Sequence, residues 1–165
     1  MKTIPLTQGY SAIVDDDDFD RVSQFKWVAW VKKREGKTEV YAIRTFRRPH
    51  KQQRTVQLHR FVMDVWDGRL VDHRNHDSLD CRKVNLRVCT HAQNTMNSRK
   101  RRDGSSQYKG VRFISKLKKW SVRITVNGQR RYVGFYLSEE EAARAYNDAA
   151  RQHFGEFACL NQLSA

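Results

Sequence analysis

The chain has 165 residues, enough for one ordinary domain or for two or three very small ones, but not for a single large core. Its 32 Lys and Arg against 18 Asp and Glu leave a formal charge of +14, the footprint expected of a protein whose partner is densely negative, with nucleic acid leading that list. A membrane surface is the competing polyanion, yet no long apolar run, signal-peptide core or basic amphipathic helix appears, so a soluble, cytoplasmic protein is expected.

Residues 1–57 form a first section. IPLTQGYSAIV reads as strand and turn, and FDRVSQFKWVAWV and VYAIRTF read as short strands with one helical turn among them. The acidic run Asp15–Asp18 precedes an apolar segment, where such residues cap a helix or fill a solvated turn; metal binding is the other use open to it.

Residues 58–98 form a second. In LHRFVMDVW the apolar residues Leu58, Phe61, Val62, Val65 and Trp66 recur at helical spacing, so a short amphipathic helix is predicted. Its His59 fits packing, phosphate contact or catalysis. RLVDH then reads as a strand, residues 74–84 as a polar loop, LRVCT as a second strand, and a polar helix starts near His91. Hydrolysis of a phosphodiester at such a unit needs a base for water, a divalent cation for the developing charge, and donors for the phosphate. His73 suits the first role, because a neutral imidazole accepts a proton near neutral pH. Asp72 suits the second, since a hard cation such as Mg²⁺ takes carboxylate and amide oxygen and keeps sites for phosphate and water. Adjacent strand residues point to opposite faces, so the two can serve together only where the strand twists or bends. Asn85 and Asn94 carry amides that can hold the imidazole or the loop, or ligate metal. Arg82, Lys83 and Arg87 are expected to hold phosphates.

The blocks LHR, VDH, NLR and QN resemble those of HNH nucleases of phages and group I introns. The resemblance implies a ββα-metal fold, a hairpin plus helix around one divalent ion, Mg²⁺ or Mn²⁺. It also implies His73 as general base, Asp72 and Asn94 as metal ligands and Asn85 as the orienting residue. His91 lies one turn before Asn94 and competes for its place, which many family members fill with His; Asn there resembles the homing-type enzymes. A zinc site built from His73, His76, Cys81, Cys89 and His91 is the alternative. It fits no familiar spacing and leaves Asp72 and both Asn unexplained, and the three cysteines of the chain form no C-x-x-C pair.

Residues 99–107 are basic and then Gly/Ser-rich, and read as a flexible linker or a phosphate-bound one. In residues 108–165, YKGVRFI, KKWSVRITV and RRYVGFY alternate as three antiparallel strands, the last two joined by Asn127-Gly128. Ser138 and Glu141 make a capping box for a helix whose stripe of Ala, Tyr146 and Phe154 ends at Gly155. Period-2 patterning sends Trp120, Val122, Ile124, Val126, Val133 and Phe135 to the core, leaving Ser121, Arg123, Thr125, Arg130, Tyr132 and Tyr136 outward. YKGVR, W-x-V-x-I and VGFY-x-S-x-EEAARAYNDAA, with G-x-x-A-x-LN, resemble the plant ethylene-response-factor (APETALA-type) DNA-binding domain over residues 107–162. That resemblance implies a sheet in the major groove of double-stranded DNA, with Lys109, Arg112, Arg123, Thr125, Arg130 and Tyr132 at base- and backbone-reading positions.

The expected fold class is therefore α+β: a small β-rich N-terminal region, a ββα-metal core, and a three-stranded antiparallel sheet packed on one helix. The expected function is a metal-dependent DNA endonuclease of homing type, nicking or cutting both strands, encoded by a phage or acting in bacterial cytoplasm, with site recognition by the C-terminal sheet. A non-catalytic DNA-binding regulator is the rival reading. No small-molecule cofactor or membrane is expected, and no feature identifies a protein partner.

Overall fold

Alternation at the N-terminus becomes a two-stranded antiparallel pair, β1 (Lys2–Pro5) and β2 (Ser11–Val14), in which Ile4 faces Ala12 and both are buried. The computed structural model describes residues 1–34, 37–47, 53–100 and 104–163. Asp16, Asp17 and Asp18 make the first turn of α1 (Asp16–Ser23), where carboxylates complement the positive end of the helix dipole. Asp15 accepts a hydrogen bond from the Lys83 amide at 2.8 Å, Asp16 pairs with the N-terminal ammonium, and Asp18 pairs with Arg21 and Lys83. The acidic run is thus taken up by helix and loop contacts.

The strands β3 (Val28–Arg34), β4 (Lys37–Arg47) and β5 (Gln53–Gln57) form an antiparallel sheet in that order. It leads directly into the short helix that the apolar spacing predicted, α2 (Leu58–Val62), which ends before Val65 and Trp66. A hairpin of β6 (Leu70–His73) and β7 (Leu86–Cys89) follows. One core serves all of these: Ile4, Val14, Val22, Trp27 and Ala42 pack with Leu58, Val62, Cys81 and Leu86. The boundary expected at residues 57 and 58 therefore does not separate two cores, because the small N-terminal sheet buries its face only with side chains from the next section. By contact density the chain divides into Met1–Thr90 and His91–Ala165. The helix α3 (His91–Met96) falls in the second unit, so the 58–98 segment is shared between the two.

In the second unit β8 (Val111–Ile114), β9 (Lys119–Val126) and β10 (Gln129–Tyr136) form an antiparallel sheet with β9 central, and α4 (Glu139–Phe154) packs on it. Asn127 and Gly128, with φ of 51° and 79°, close the β9–β10 hairpin as their sequence predicts. The Ser138–Glu141 capping box is formed. Gly110, at φ +76°, lies so close to the Tyr146 ring that a Cβ there would stand 2.1 Å from it, which only glycine permits. Part of the expected linker is folded. The Ser106 hydroxyl donates to Glu139 at 2.5 Å, the Gln107 amide donates to the same carboxylate at 2.9 Å, and the Phe113 amide donates to Ser105. Residues 101–103 of that stretch lie outside the described residues.

One register detail changes the outer face. Between Tyr132 and Gly134 the pairing with β9 slips by one residue, a bulge at Val133. Because side chains alternate, the slip inverts the two residues that follow. Phe135, predicted in the core, is 45% exposed and stacks edge-on with Tyr132 at 5.2 Å, while Tyr136, predicted outward, packs against the core. Ser121 also departs from expectation. It sits on the outer face but is buried, a small residue on the central strand between its cross-strand neighbours Arg112 and Phe135.

Candidate active site and nucleic-acid interface

Hairpin register sets the first contact of the site. Asp72 pairs across the strands with Arg87, and the guanidinium donates from Nε at 3.0 Å and from Nη2 at 2.8 Å to Oδ2 of the carboxylate. Both side chains are buried, so this is a desolvated ion pair. Arg87, expected at a phosphate, is instead the partner of Asp72. Arg82 likewise pairs with Asp80 and Lys83 with Asp18, so each of the three cations has a carboxylate partner, although only Arg87 is buried.

His73 is the last residue of β6, and its side chain leaves the strand on the face opposite Asp72. Its ring meets the edge of His59 from α2 at a centroid distance of 4.8 Å, and His59 in turn lies 6.1 Å from the Tyr41 ring of β4. Burial drives both imidazoles down. His73 falls to about 4, with Asp72, Asp77 and Asp80 pulling weakly the other way. His59 falls to about 3 through burial, the neighbouring His73 and Arg60. Both rings are accordingly neutral near pH 7, the form in which an imidazole accepts a proton. His59 was legible only as one of several options, because its neighbour in space is fourteen positions away in sequence.

Asn85 holds the loop between the two strands. Its Oδ1 accepts from the Asn75 amide at 3.0 Å, its Nδ2 donates to the Asp80 carbonyl at 2.8 Å, and its own carbonyl accepts from the Arg74 amide at 2.9 Å. Of the two uses predicted for this amide, the imidazole or the loop, these contacts are with the loop. The loop is further docked on β2, where the Ile13 amide donates to the Leu79 carbonyl and the Ile13 carbonyl accepts from the Cys81 amide, both at 2.8 Å. Asn94 and His91 are exposed on α3 in the second unit, three positions apart and hence on one helix face.

The two residues named as ligands of a hard cation, Asp72 and Asn94, belong to different units of the chain, and Asp72 is taken up by Arg87. Among the described residues no group of three or more His, Cys, Asp or Glu is arranged to hold a metal. Cys81 is fully buried in the apolar core, and burial raises its thiol far above the usual range. Of the predicted ligands, the first unit supplies the Asp72 carboxylate, an oxygen donor of the type Mg²⁺ prefers.

In the second unit Arg112, Arg123, Thr125, Arg130 and Tyr132 are exposed on the outer sheet face, with Arg123 opposite Tyr132 and Thr125 opposite Arg130. Lys109 is not among them. Its ammonium donates to the carbonyls of Met96 at 2.7 Å and Ser98 at 2.6 Å, closing the C-terminal end of α3.

Residues 65–96 match the model of the HNH endonuclease family. A protein of Acanthamoeba polyphaga mimivirus, named an uncharacterized HNH endonuclease, is 36% identical over 114 residues, 66% of this chain and 58% of the relative. The chain thus spans little more than half the length of that relative. No solved structure matches the chain. Asp72, His73, Asn85 and Asn94 all fall inside the matched segment.

Proposed function

We propose that the protein is a metal-dependent DNA endonuclease of homing type, in which the β6–β7 hairpin carries the chemistry and the outer face of the C-terminal sheet selects the site on double-stranded DNA. The observation that carries this reading is His73 at the end of β6, buried edge-on to His59 and kept neutral by that burial, within the HNH-matching segment. His73 takes the proton of a water as its oxygen attacks phosphorus, and the ester oxygen leaves as the new P–O bond forms. Edge-on packing against His59 limits the orientations open to that ring. Asn85 keeps the intervening loop, and so the end of β6, in place. Arg87 fixes the Asp72 carboxylate by two hydrogen bonds. Asp72 is the residue of the first unit that would help to hold Mg²⁺ or Mn²⁺, which when bound supplies positive charge to the phosphate and the leaving oxygen.

Outward Arg112, Arg123 and Arg130 supply guanidinium forks suited to guanine edges and phosphates, and a narrow sheet fits a major groove. Incubation with supercoiled plasmid and Mg²⁺, resolving nicked from linear product, tests the reading. His73→Ala should abolish cleavage and leave DNA affinity nearly unchanged, because a general base contributes on the order of 10²–10⁴ in rate and little to ground-state binding. A wild-type chain that binds plasmid and never cuts it would favour the regulator instead.

A further inference from the structure

Side chains of β4 and β5 in the first unit line a cleft of about 230 Å³. Trp27 and Phe61, from the core, line it together with Phe46, Trp66, Arg44 and Arg54. This volume lies below the roughly 300–1,000 Å³ of sites for drug-sized ligands, and suits a single flat ring with its substituent. Four of these six side chains are aromatic. Trp66 is 52% exposed, with its indole N–H donated to Asp64, so a large ring is held at the rim while much of its surface stays in water.

The two cations give the cleft its sign. Arg44 stacks its guanidinium 3.6 Å from the Phe25 ring centroid and 5.7 Å from that of Phe46, which fixes it without neutralising it. Neither Arg44 nor Arg54 forms an ion pair with any of the described residues, whereas Arg21, Arg69, Arg82 and Arg87 each have a carboxylate. Folding therefore leaves two positive forks beside exposed aromatic surface, in a chain of net charge +14. A ligand that satisfies both is a flat ring carrying an anion.

We propose that this cleft binds one unstacked nucleotide of a DNA strand, its base against the aromatic rings and its phosphate on Arg44 and Arg54. This rests on the reading of the chain as a DNA-acting protein, but uses none of the residues assigned to cleavage. The cleft gives the first unit a preference for single-stranded or locally opened DNA, separate from the duplex reading assigned to the C-terminal sheet.

The test uses the full-length chain without divalent cation and a short single-stranded oligonucleotide carrying 2-aminopurine, with the matching duplex and deoxyadenosine monophosphate as separate arms. Trp66→Ala should weaken single-strand affinity by roughly tenfold, as expected for loss of one base–aromatic stack, and Trp66→Phe should restore most of it. Arg54→Gln should lower the dependence of log affinity on log salt by about 0.7, one phosphate on a single strand. Duplex affinity should barely change in either variant. Wild-type affinity of Trp66→Ala for the oligonucleotide would overturn the proposal, as would an equal loss for duplex. Sensitivity to Trp66→Ala for the monophosphate alone would also overturn it, since the cleft would then serve a free nucleotide. Plasmid cleavage by wild type is scored independently, so a chain that cuts normally with an indifferent cleft refutes only this inference, and one that never cuts refutes only the nuclease.

Discussion

Replacing Asn85 by Ala separates a residue that holds the loop from one that acts in the reaction. The substitution deletes an acceptor for the Asn75 amide and a donor to the Asp80 carbonyl, at a position that is itself buried beside a buried Asp80. Each polar group left without a partner away from water costs about 1–3 kcal/mol. Two such groups, one of them near solvent, set the expected loss at about 3 kcal/mol, a large share of the roughly 5–15 kcal/mol that holds a domain folded. For a unit of this size that lowers the thermal midpoint by on the order of 12–24 °C. Asn85→Asp should be no better, because it points a carboxylate oxygen at the Asp80 carbonyl where an N–H donated. Urea titration followed by circular dichroism measures the loss, and plasmid cleavage is then compared well below the midpoint of each variant. The clamp account expects activity to fall with the order of the loop and to recover in part at low temperature. An Asn85→Ala protein as stable as wild type but inactive would refute it, and would move Asn85 into the reaction itself.

Other outcomes follow from the same contacts. His59 has a folded pKa of about 3 against 6.5 when unfolded, so the unfolded state binds the extra proton and stability falls as pH drops from 6.5 toward 3. At pH 5 this costs about 2 kcal/mol relative to pH 7, and urea midpoints of His59→Phe should show a shallower acid slope; an unchanged slope would assign the acid sensitivity elsewhere. Arg87→Met should cost about 3–5 kcal/mol by stranding the buried Asp72 carboxylate, and adding Asp72→Leu should recover most of that loss. Equal stability of the single and double variants would show that the pair is not coupled. Arg123→Ala should relax sequence preference at one or two base pairs, about 1–3 kcal/mol each, with metal dependence unchanged, as read by cleavage of a randomised-site library. Full retention of preference would remove the sheet face as the reader.

Local signals determined a good deal of this protein. Strand alternation, the Asn127-Gly128 turn and the Ser138–Glu141 box are all short-range patterns, and short-range patterns are written in adjacent residues. The net charge of +14 was legible too, since charge sums without reference to fold. What needed the tertiary structure was each matter decided by pairing at a distance. The partner of Asp72 is Arg87 because hairpin register sets them opposite one another, and the neighbour of His73 is His59 because α2 packs beside β6. The N-terminal sheet shares its core with the next section because it cannot bury its own face alone. A single bulged residue, which alternation cannot foresee, turned Phe135 out and Tyr136 in. Lys109 stood among the DNA-reading positions implied by resemblance, and only the fold brought the carbonyls of Met96 and Ser98 to its ammonium.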